Sequence, residues 1–326
     1  MRNNRNLIKN LTLVVLLGLI AAVVWKHTAL ADWFKLRGYQ PPVEISKLAA
    51  ADTMTPAAQH LYYINHPKLI TTSAQFGKVC PQLEHTIVLG CYHSMQRGIY
   101  LRSVSDTRLT GVEEVTAAHE MLHGAYERLS TKEKNYINSL LEDYYKNEVK
   151  DQRLIDTINA YKQSEPDSVV DEMHSIFGTE VANLPAPLEN YYKRYFFNRT
   201  AVSSFASGYE AEFTSRLDQV KAYENQLSNL KEQINSEEAA LESEAAKIES
   251  DRSNLESLRS NGLLTQYNER VAGFNGEVEI YNNGVAKLKA DINTYNSIVV
   301  AHNQLADEIS SLYSSLGTTL DQQTSQ

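Results

Sequence analysis

The chain has 326 residues, of which 42% are hydrophobic and 22% charged. It therefore has the composition of a globular protein and the length for more than one domain. Its formal net charge is −9, and residues 209–316 carry 9 Lys and Arg against 18 Asp and Glu. The sequence lacks a basic stripe that could neutralise a phosphate backbone, which argues against a nucleic-acid partner.

The N-terminus predicts insertion into a membrane. The stretch from Leu7 to Trp25 is largely apolar and follows two arginines. As a helix it would be roughly 28 Å long, close to the ~30 Å hydrocarbon core of a bilayer. We therefore expect residues 1–25 to anchor the protein in the cell membrane as a single pass, with the rest of the chain extracytoplasmic. The alternative is a signal peptide cleaved near Ala31, which would give a secreted protein.

Residues 26–44 include two consecutive prolines and are interpreted as a tether. A compact domain is expected over residues 45–205. Its two cysteines, Cys80 and Cys91, are the only ones in the sequence. Because exported chains favour pairing, we expect them to form a disulfide, with two buried thiols as the alternative.

Within residues 45–205 the pattern predicts one small β-hairpin and several helices. The stretches "HTIVLGCY" (85–92) and "GIYLRSV" (98–104) are rich in β-branched and aromatic residues and are typical of paired strands. The capping-box patterns "TGVE" at Thr110–Glu113 and "STKE" at Ser130–Glu133 open two helices that end near residues 129 and 146. Further helices are expected at 55–67, 150–163, 169–177 (ended by Gly178) and 187–199.

Residues 206–316 predict an antiparallel coiled-coil hairpin. Apolar residues recur at every seventh position from Phe213 to Leu255, and a second run with alternating spacings of three and four extends from Leu264 to Tyr313. Between the runs, "SNG" at 260–262 ends the first helix, so each helix can cover the apolar stripe of the other. A parallel, self-associating coil is the alternative. This acidic arm is a candidate docking surface for a protein partner, and the polar tail 317–326 is expected to be disordered.

The candidate functional site lies in "TAAHEMLHGAYERLS", residues 116–130. His119 and His123 are four positions apart, so on a helix both lie on one face and can bind one Zn²⁺ ion at about 2.0–2.1 Å. Glu120 lies about 100° further round the helix, where it can act as general base towards a water molecule. The alternatives are two ordinary histidines on a helix or a zinc site with a structural role only.

A catalytic zinc ion normally takes three protein ligands, and a third histidine does not follow on the same helix. We therefore expect a carboxylate from another helix. Glu172 lies on the apolar face of the predicted helix 169–177, and a buried carboxylate needs a partner, which a metal ion can be. Glu180 is the second choice for this ligand and His174 the third.

The stretch from about residue 79 to 181 resembles the gluzincin-type zinc metallopeptidases and is similar, at the level of a clan, to the M48 group. In that family an H-E-x-x-H helix is followed by a helix that bears a glutamate ligand. The resemblance implies His119, His123 and Glu172 as zinc ligands, Glu120 as catalytic base, and a zincin-like fold. It also implies an edge strand before the helix, along which an extended peptide substrate lies. The small residue and aspartate that usually follow the glutamate are replaced here by serine and isoleucine.

These patterns predict a mainly α-helical protein with a small β-hairpin, in which a zinc-peptidase head carries a long coiled coil. We expect an exported, membrane-tethered peptidase that hydrolyses peptides or proteins. The alternative is a cell-envelope scaffold or adaptor that works through its coiled coil and carries a catalytically silent zinc head. A peptidase also needs a donor for the oxyanion, and Tyr191, Tyr192, Arg194 and His174 are candidates by position alone.

Overall fold

A computed structural model of the protein describes residues 27–80, 89–94 and 98–317. The expected anchor, part of the first predicted strand and nearly all of the expected tail lie outside these ranges. The chain divides into two compact units, one formed by the residues up to Glu210 together with those from Ser315 on, and the other by Ala211–Ser314. The described part is mainly helical with a three-stranded sheet, which confirms the coarse fold class predicted from the sequence.

Three short helices precede the sheet: α1 (His27–Leu36), α2 (Val43–Ala51) and α3 (Pro56–Tyr63). The N-cap of α3 is as predicted, because the Thr55 side chain accepts a hydrogen bond from the backbone N–H of Ala58. Helix α1 occupies part of the segment interpreted as a tether. It is held by Asp32, whose carboxylate accepts bonds of 2.6 and 2.7 Å from Arg128 and one of 2.9 Å from His60. A carboxylate that is only 4% exposed requires such partners.

The sheet consists of β1 (Lys68–Ile70), β2 (Gly90–His93) and β3 (Gly98–Arg102), with helix α4 (Ser73–Val79) between the first two strands. The strand order is β1-β3-β2, so β2 lies at an edge. Strands β2 and β3 are antiparallel, as expected for the predicted hairpin, and β1 pairs in parallel with β3. Cys80 and Cys91 form a disulfide, which confirms the predicted pairing and connects the end of α4 to β2.

Five helices follow the sheet: α5 (Val112–Glu127), α6 (Thr131–Asn147), α7 (Gln152–Ser164), α8 (Val169–Glu180) and α9 (Ala186–Tyr192). The capping box that opens α6 is present in full, with Ser130 and Glu133 bonding each other's backbone N–H groups. The prediction of a capping box at the start of α5 is wrong. Its N-cap is Gly111, at a φ of 103°, and the Glu113 carboxylate accepts hydrogen bonds from Ser103 and Val104 of the preceding loop instead.

The core of the first unit forms around α5 and α8, which pack against each other. Met121 and Leu122 of α5 and Met173 and Phe177 of α8 are almost completely buried, and α6, α7 and α9 add further apolar side chains to the same cluster. Gly178 does not end α8, contrary to the prediction, because the helix runs on to Glu180. Its missing side chain allows a close approach instead, since an added Cβ would lie 2.5 Å from Cδ1 of Leu122.

Two long helices, α10 (Arg199–Ser260) and α11 (Leu264–Ser315), form the coiled-coil hairpin. They are joined by a short turn in which Gly262 has a φ of 71°, as expected for a left-handed cap. Contacts between the helices show that they run antiparallel. These contacts are Lys247–Glu277 nearest the turn, then Gln233–Asp291, Arg216–Glu308 and Phe213–Tyr313 furthest from it.

The localisation predicted from the sequence is corrected by the structure. In the described part of the chain no helix is both long enough and apolar enough to cross a membrane, which contradicts the expected single-pass membrane protein. The two longest helices carry charged side chains along most of their length. The apolar stretch Leu7–Trp25, on which the expectation rested, lies outside the described residues.

Candidate metal centre

Helices α5 and α8 bring three potential metal ligands together. His119 and His123 lie one turn apart on α5, and Glu172 lies in the first turn of α8. One ligand atom from each of these three residues lies within 4.8 Å of the other two, and this is the one cluster of this kind among the described residues. The side chains therefore meet because the two helices pack at close range. This is the arrangement that a carboxylate ligand from a second helix, as expected from the sequence, requires.

The distances in this cluster suit a shared ion. The Nε2 atom of His119 lies 3.5 Å from Oε2 of Glu172, and the Nε2 atom of His123 lies 3.6 Å from Oε1. Both distances are long for a direct hydrogen bond. In a tetrahedral site with bonds of about 2.0–2.1 Å, two ligand atoms lie roughly 3.3 Å apart. Each imidazole nitrogen therefore lies from one oxygen of Glu172 at about the separation that two ligands of a zinc ion have.

Glu172 itself shows why a cation fits. Its Oε2 atom is buried and has no hydrogen-bond partner among the described residues, a situation that costs about 1–3 kcal/mol or more for a charged group. Burial alone would raise the pKa of Glu172, but the charges of His123 and His119, together with the polar groups of His119 and Tyr161, outweigh it, and the pKa lies below its usual range. The carboxylate is thus held ionised in a buried place, where a metal ion is a suitable partner.

The surroundings of His123 also favour positive charge. Burial would lower the pKa of His123, but Glu172 and Asp171 overcome it and raise the pKa to about 10. The Nδ1 atom of His123 donates a hydrogen bond of 2.9 Å to Oδ1 of Asp171. This bond fixes the ring with Nε2 towards Glu172, the arrangement in which metal-binding histidines are commonly held. The oriented imidazole and the adjacent negative charges together provide a site for a divalent cation.

Glu120 lies beside the cluster and is 6% exposed. Burial raises the pKa of Glu120, and the neighbouring His123 and His119 reduce but do not cancel this effect. Strand β2 covers the carboxylate closely, because a Cβ added to Gly90 would lie 2.8 Å from both Cγ and Oε1 of Glu120. A carboxyl group with a raised pKa is suited to accept and return a proton near neutral pH.

These residues line an open cleft of about 420 Å³. Its walls come from edge strand β2, from the face of α5 that carries the two histidines, from the end of α7 and from the start of α8. Tyr161 of α7 also lines it. Burial raises the pKa of the Tyr161 phenol, and the nearby carboxylates of Glu172 and Glu120 raise it further, so its hydroxyl stays protonated and can donate a hydrogen bond.

The other candidates from the sequence lie elsewhere. Glu180 is at the far end of α8 and forms an ion pair of 2.7 Å with Arg153. His174 is fully buried with a hydrogen bond of 2.8 Å between its Nε2 atom and the Tyr191 hydroxyl, and burial lowers its pKa to about 3. Arg194 pairs with a glutamate of α6. Together with Tyr192, these side chains support the core and the surface, and none of them lines the cleft.

Two residues that the structure places at the site were not found from the sequence. Asp171 orients His123 from the position before Glu172, whereas the resemblance suggested an aspartate after it. The adjacent acidic pair in "VVDEMH" was the available signal, because one turn of helix can present both carboxylates to a neighbouring helix. Tyr161 gave no such signal, since an aromatic residue on an amphipathic helix is usually part of the core.

Comparison with models of protein families, with curated proteins and with solved structures finds no match for this chain.

Proposed function

We propose that the protein is a zinc-dependent peptidase with a zincin-like head, in which His119, His123 and Glu172 bind the ion and Glu120 is the general base. The observation that carries this proposal is the convergence of two imidazoles on a buried carboxylate oxygen that lacks a hydrogen-bond partner. A second carboxyl group with a raised pKa lies next to it in an open cleft. Since Glu120 is not needed for holding the ion, its presence favours catalysis over a structural zinc site.

A bound zinc ion would supply Lewis acidity, which lowers the pKa of a water molecule and polarises a peptide carbonyl. Glu120 accepts a proton from the attacking water at its carboxylate and returns it to the leaving nitrogen. Tyr161 donates a hydrogen bond to the oxygen on which negative charge develops. Strand β2 lies at the edge of the sheet, and its backbone groups would pair with an extended substrate along the wall of the cleft.

The disulfide supports an oxidising compartment for this activity. Disulfides persist in secreted and envelope proteins and are rare in the reducing cytosol. Cys80 and Cys91 are also the only cysteines in the sequence. The substrate is therefore a peptide or protein outside the cytoplasm.

A second candidate function is favoured by the paired helices α10 and α11. A coiled coil of this length is a common docking element, and its charged flanking positions set the choice of partner. In this case the protein is an envelope scaffold, and its head binds zinc without turning over a substrate.

Zinc content and peptide hydrolysis, measured together, separate these functions. The wild type is expected to hold one zinc ion and to cleave members of a broad peptide library. Glu120→Gln should keep the zinc and lose about 10²–10⁴-fold in rate, the usual contribution of a general base. Glu165→Gln is the matched control, because it removes a carboxylate from the same cleft without removing the base.

A wild type that holds zinc and cleaves no peptide would favour the scaffold. A wild type that holds no zinc would overturn the metal centre itself.

A further inference from the structure

The two faces of strand β2 contact different parts of the molecule. Successive side chains of a strand point to opposite faces. Gly90 faces α5, where an added Cβ would lie 2.6 Å from Cγ2 of Thr116. Tyr92 faces the same way, since its hydroxyl donates a hydrogen bond to Glu127 and its ring stacks at 6.5 Å on His123. One face of β2 therefore lies directly against the helix that carries Glu120.

The opposite face of β2 is fixed to α4. Cys91 forms the disulfide with Cys80, the C-cap residue of α4. His93, on the same face, donates a hydrogen bond of 2.9 Å from Nε2 to the carbonyl of Val79. The backbone of β2 pairs on one edge with β3. The disulfide is the covalent link that holds this edge strand at a fixed distance from α4.

The metal ligands depend on different contacts. His119, His123 and Glu172 are carried by α5 and α8, which pack against each other through Met121, Leu122, Met173 and Phe177. His123 also stacks on Tyr92 of β2, but its ring is fixed by the hydrogen bond to Asp171 of α8. Glu120 lies against the backbone of β2 itself, because no space for a Cβ is left between its side chain and Gly90. Movement of β2 would thus act directly on Glu120, whereas the three ligands stay held by the packing of α5 against α8 and, for His123, by the hydrogen bond to Asp171.

On the basis of the proposed function, we infer that Gly90 is a positioning residue for Glu120, and that the Cys80–Cys91 disulfide holds the strand that carries Gly90. Reduction of the disulfide then lowers turnover while the metal stays bound. In this step the S–S bond breaks and two thiols form. A phosphine used as reductant supplies two electrons, takes the oxygen of one water molecule and becomes the phosphine oxide, and the two protons of that water go to the sulfurs.

The first test replaces Gly90 by Ala. The added methyl group has to displace Glu120 or Thr116, and a misplacement of about 1 Å can cost on the order of 10²-fold in rate. We expect kcat to fall by that order, KM to change much less, and zinc affinity to remain within about twofold of the wild type. The matched control is Gly77→Ala, at a position in α4 where an added Cβ meets nothing within 4 Å, and it should behave as the wild type. A Gly90→Ala protein with wild-type kcat would overturn the positioning role.

The second test reduces the zinc-loaded wild type with a phosphine and follows hydrogen exchange as well as turnover. Exchange should become faster at Gly90–His93 and stay unchanged over α5 and α8, kcat should fall, and zinc should remain bound. Reoxidation should restore the starting values, and the Cys80→Ser, Cys91→Ser double variant should resemble the reduced protein.

Unchanged kcat after complete reduction, or loss of zinc along with activity, would overturn the inference about the disulfide. If the oxidised wild type cleaves no peptide, the proposed function fails and the role of Gly90 fails with it. Hydrogen exchange still decides whether the disulfide holds β2, because it does not depend on turnover.

Discussion

Replacement of Gly178 by Ala tests whether the close packing of α5 and α8 creates the site. The new Cβ would lie 2.5 Å from Cδ1 of Leu122 and 2.7 Å from Cε1 of Tyr192, both far shorter than ordinary carbon contacts of about 3.5–4.0 Å. Both neighbours are completely buried, so neither can move aside without displacing others. The helices have to separate by several tenths of an ångström.

The magnitude follows from two opposing effects. Overpacking of a core costs about 1–3 kcal/mol, and the change from Gly to Ala within a helix returns about 1 kcal/mol. We therefore expect Gly178→Ala to lower the free energy of unfolding by up to about 2 kcal/mol. The matched control is Gly208→Ala in α10, where an added Cβ meets nothing within 4 Å. This control gains the helix propensity without the clash and should be stabilised by up to about 1 kcal/mol.

Urea unfolding of the metal-free proteins measures this difference. Tryptophan fluorescence is a suitable probe, because Trp33 lies in α1, within the unit that contains the site. The shift of Leu122 also moves the adjacent His123 relative to Glu172, so zinc affinity should weaken by roughly the 10–100-fold that follows the loss of a ligand's support. A Gly178→Ala protein at least as stable as Gly208→Ala, with unchanged zinc affinity, would refute the proposed packing.

Three further predictions concern single side chains. Asp171→Asn should weaken zinc binding about 10–100-fold, since the amide can still accept the bond from His123 but lacks the charge, and competition with a chromophoric chelator would show it. Tyr161→Phe should lower kcat by about 10²–10³-fold if the Tyr161 hydroxyl stabilises the oxyanion. Steady-state kinetics measure this, with zinc content as the control, and an unchanged kcat would show that Tyr161 has a role in packing only. Burial, with a smaller effect of Glu114, raises the pKa of Asp52 well above 3.8, its ordinary value. The protonated Asp52 therefore contributes its full stability below pH 3.8, and this stability is lost as the pH rises towards the pKa of Asp52 in the folded protein. Asp52→Asn should therefore become more stable relative to the wild type as the pH is raised from 4 to 8. A difference in unfolding free energy between the two proteins that stays constant with pH would contradict this.

Local signals in the sequence predicted the structure correctly where the interacting groups lie within one helical turn of each other. The Thr55 cap and the Ser130–Glu133 capping box form as predicted, because their hydrogen bonds join groups three residues apart. The seven-residue repeats likewise predicted the paired helices, since each apolar stripe needs a cover and the short turn supplies one. Local patterns misled where a distant partner competed for the same group. The Glu113 carboxylate bonds the loop before α5, so the predicted capping box does not form. Gly178 lies inside α8, where its missing side chain leaves room for Leu122.

The sequence by itself determined the helical character of the chain, the disulfide, the coiled-coil hairpin and the spacing that puts His119 and His123 on one helical face. These features depend on periodicity, on helix caps and on residue type, and all three can be recognised from residues close together in the sequence. Only the tertiary structure decided that Glu172 and not Glu180 meets the histidines, that Asp171 orients one of them, and that Gly90 lies against Glu120. Those relations depend on how closely and at what angle separate elements pack, and the spacing of residues along the chain carries no information on that.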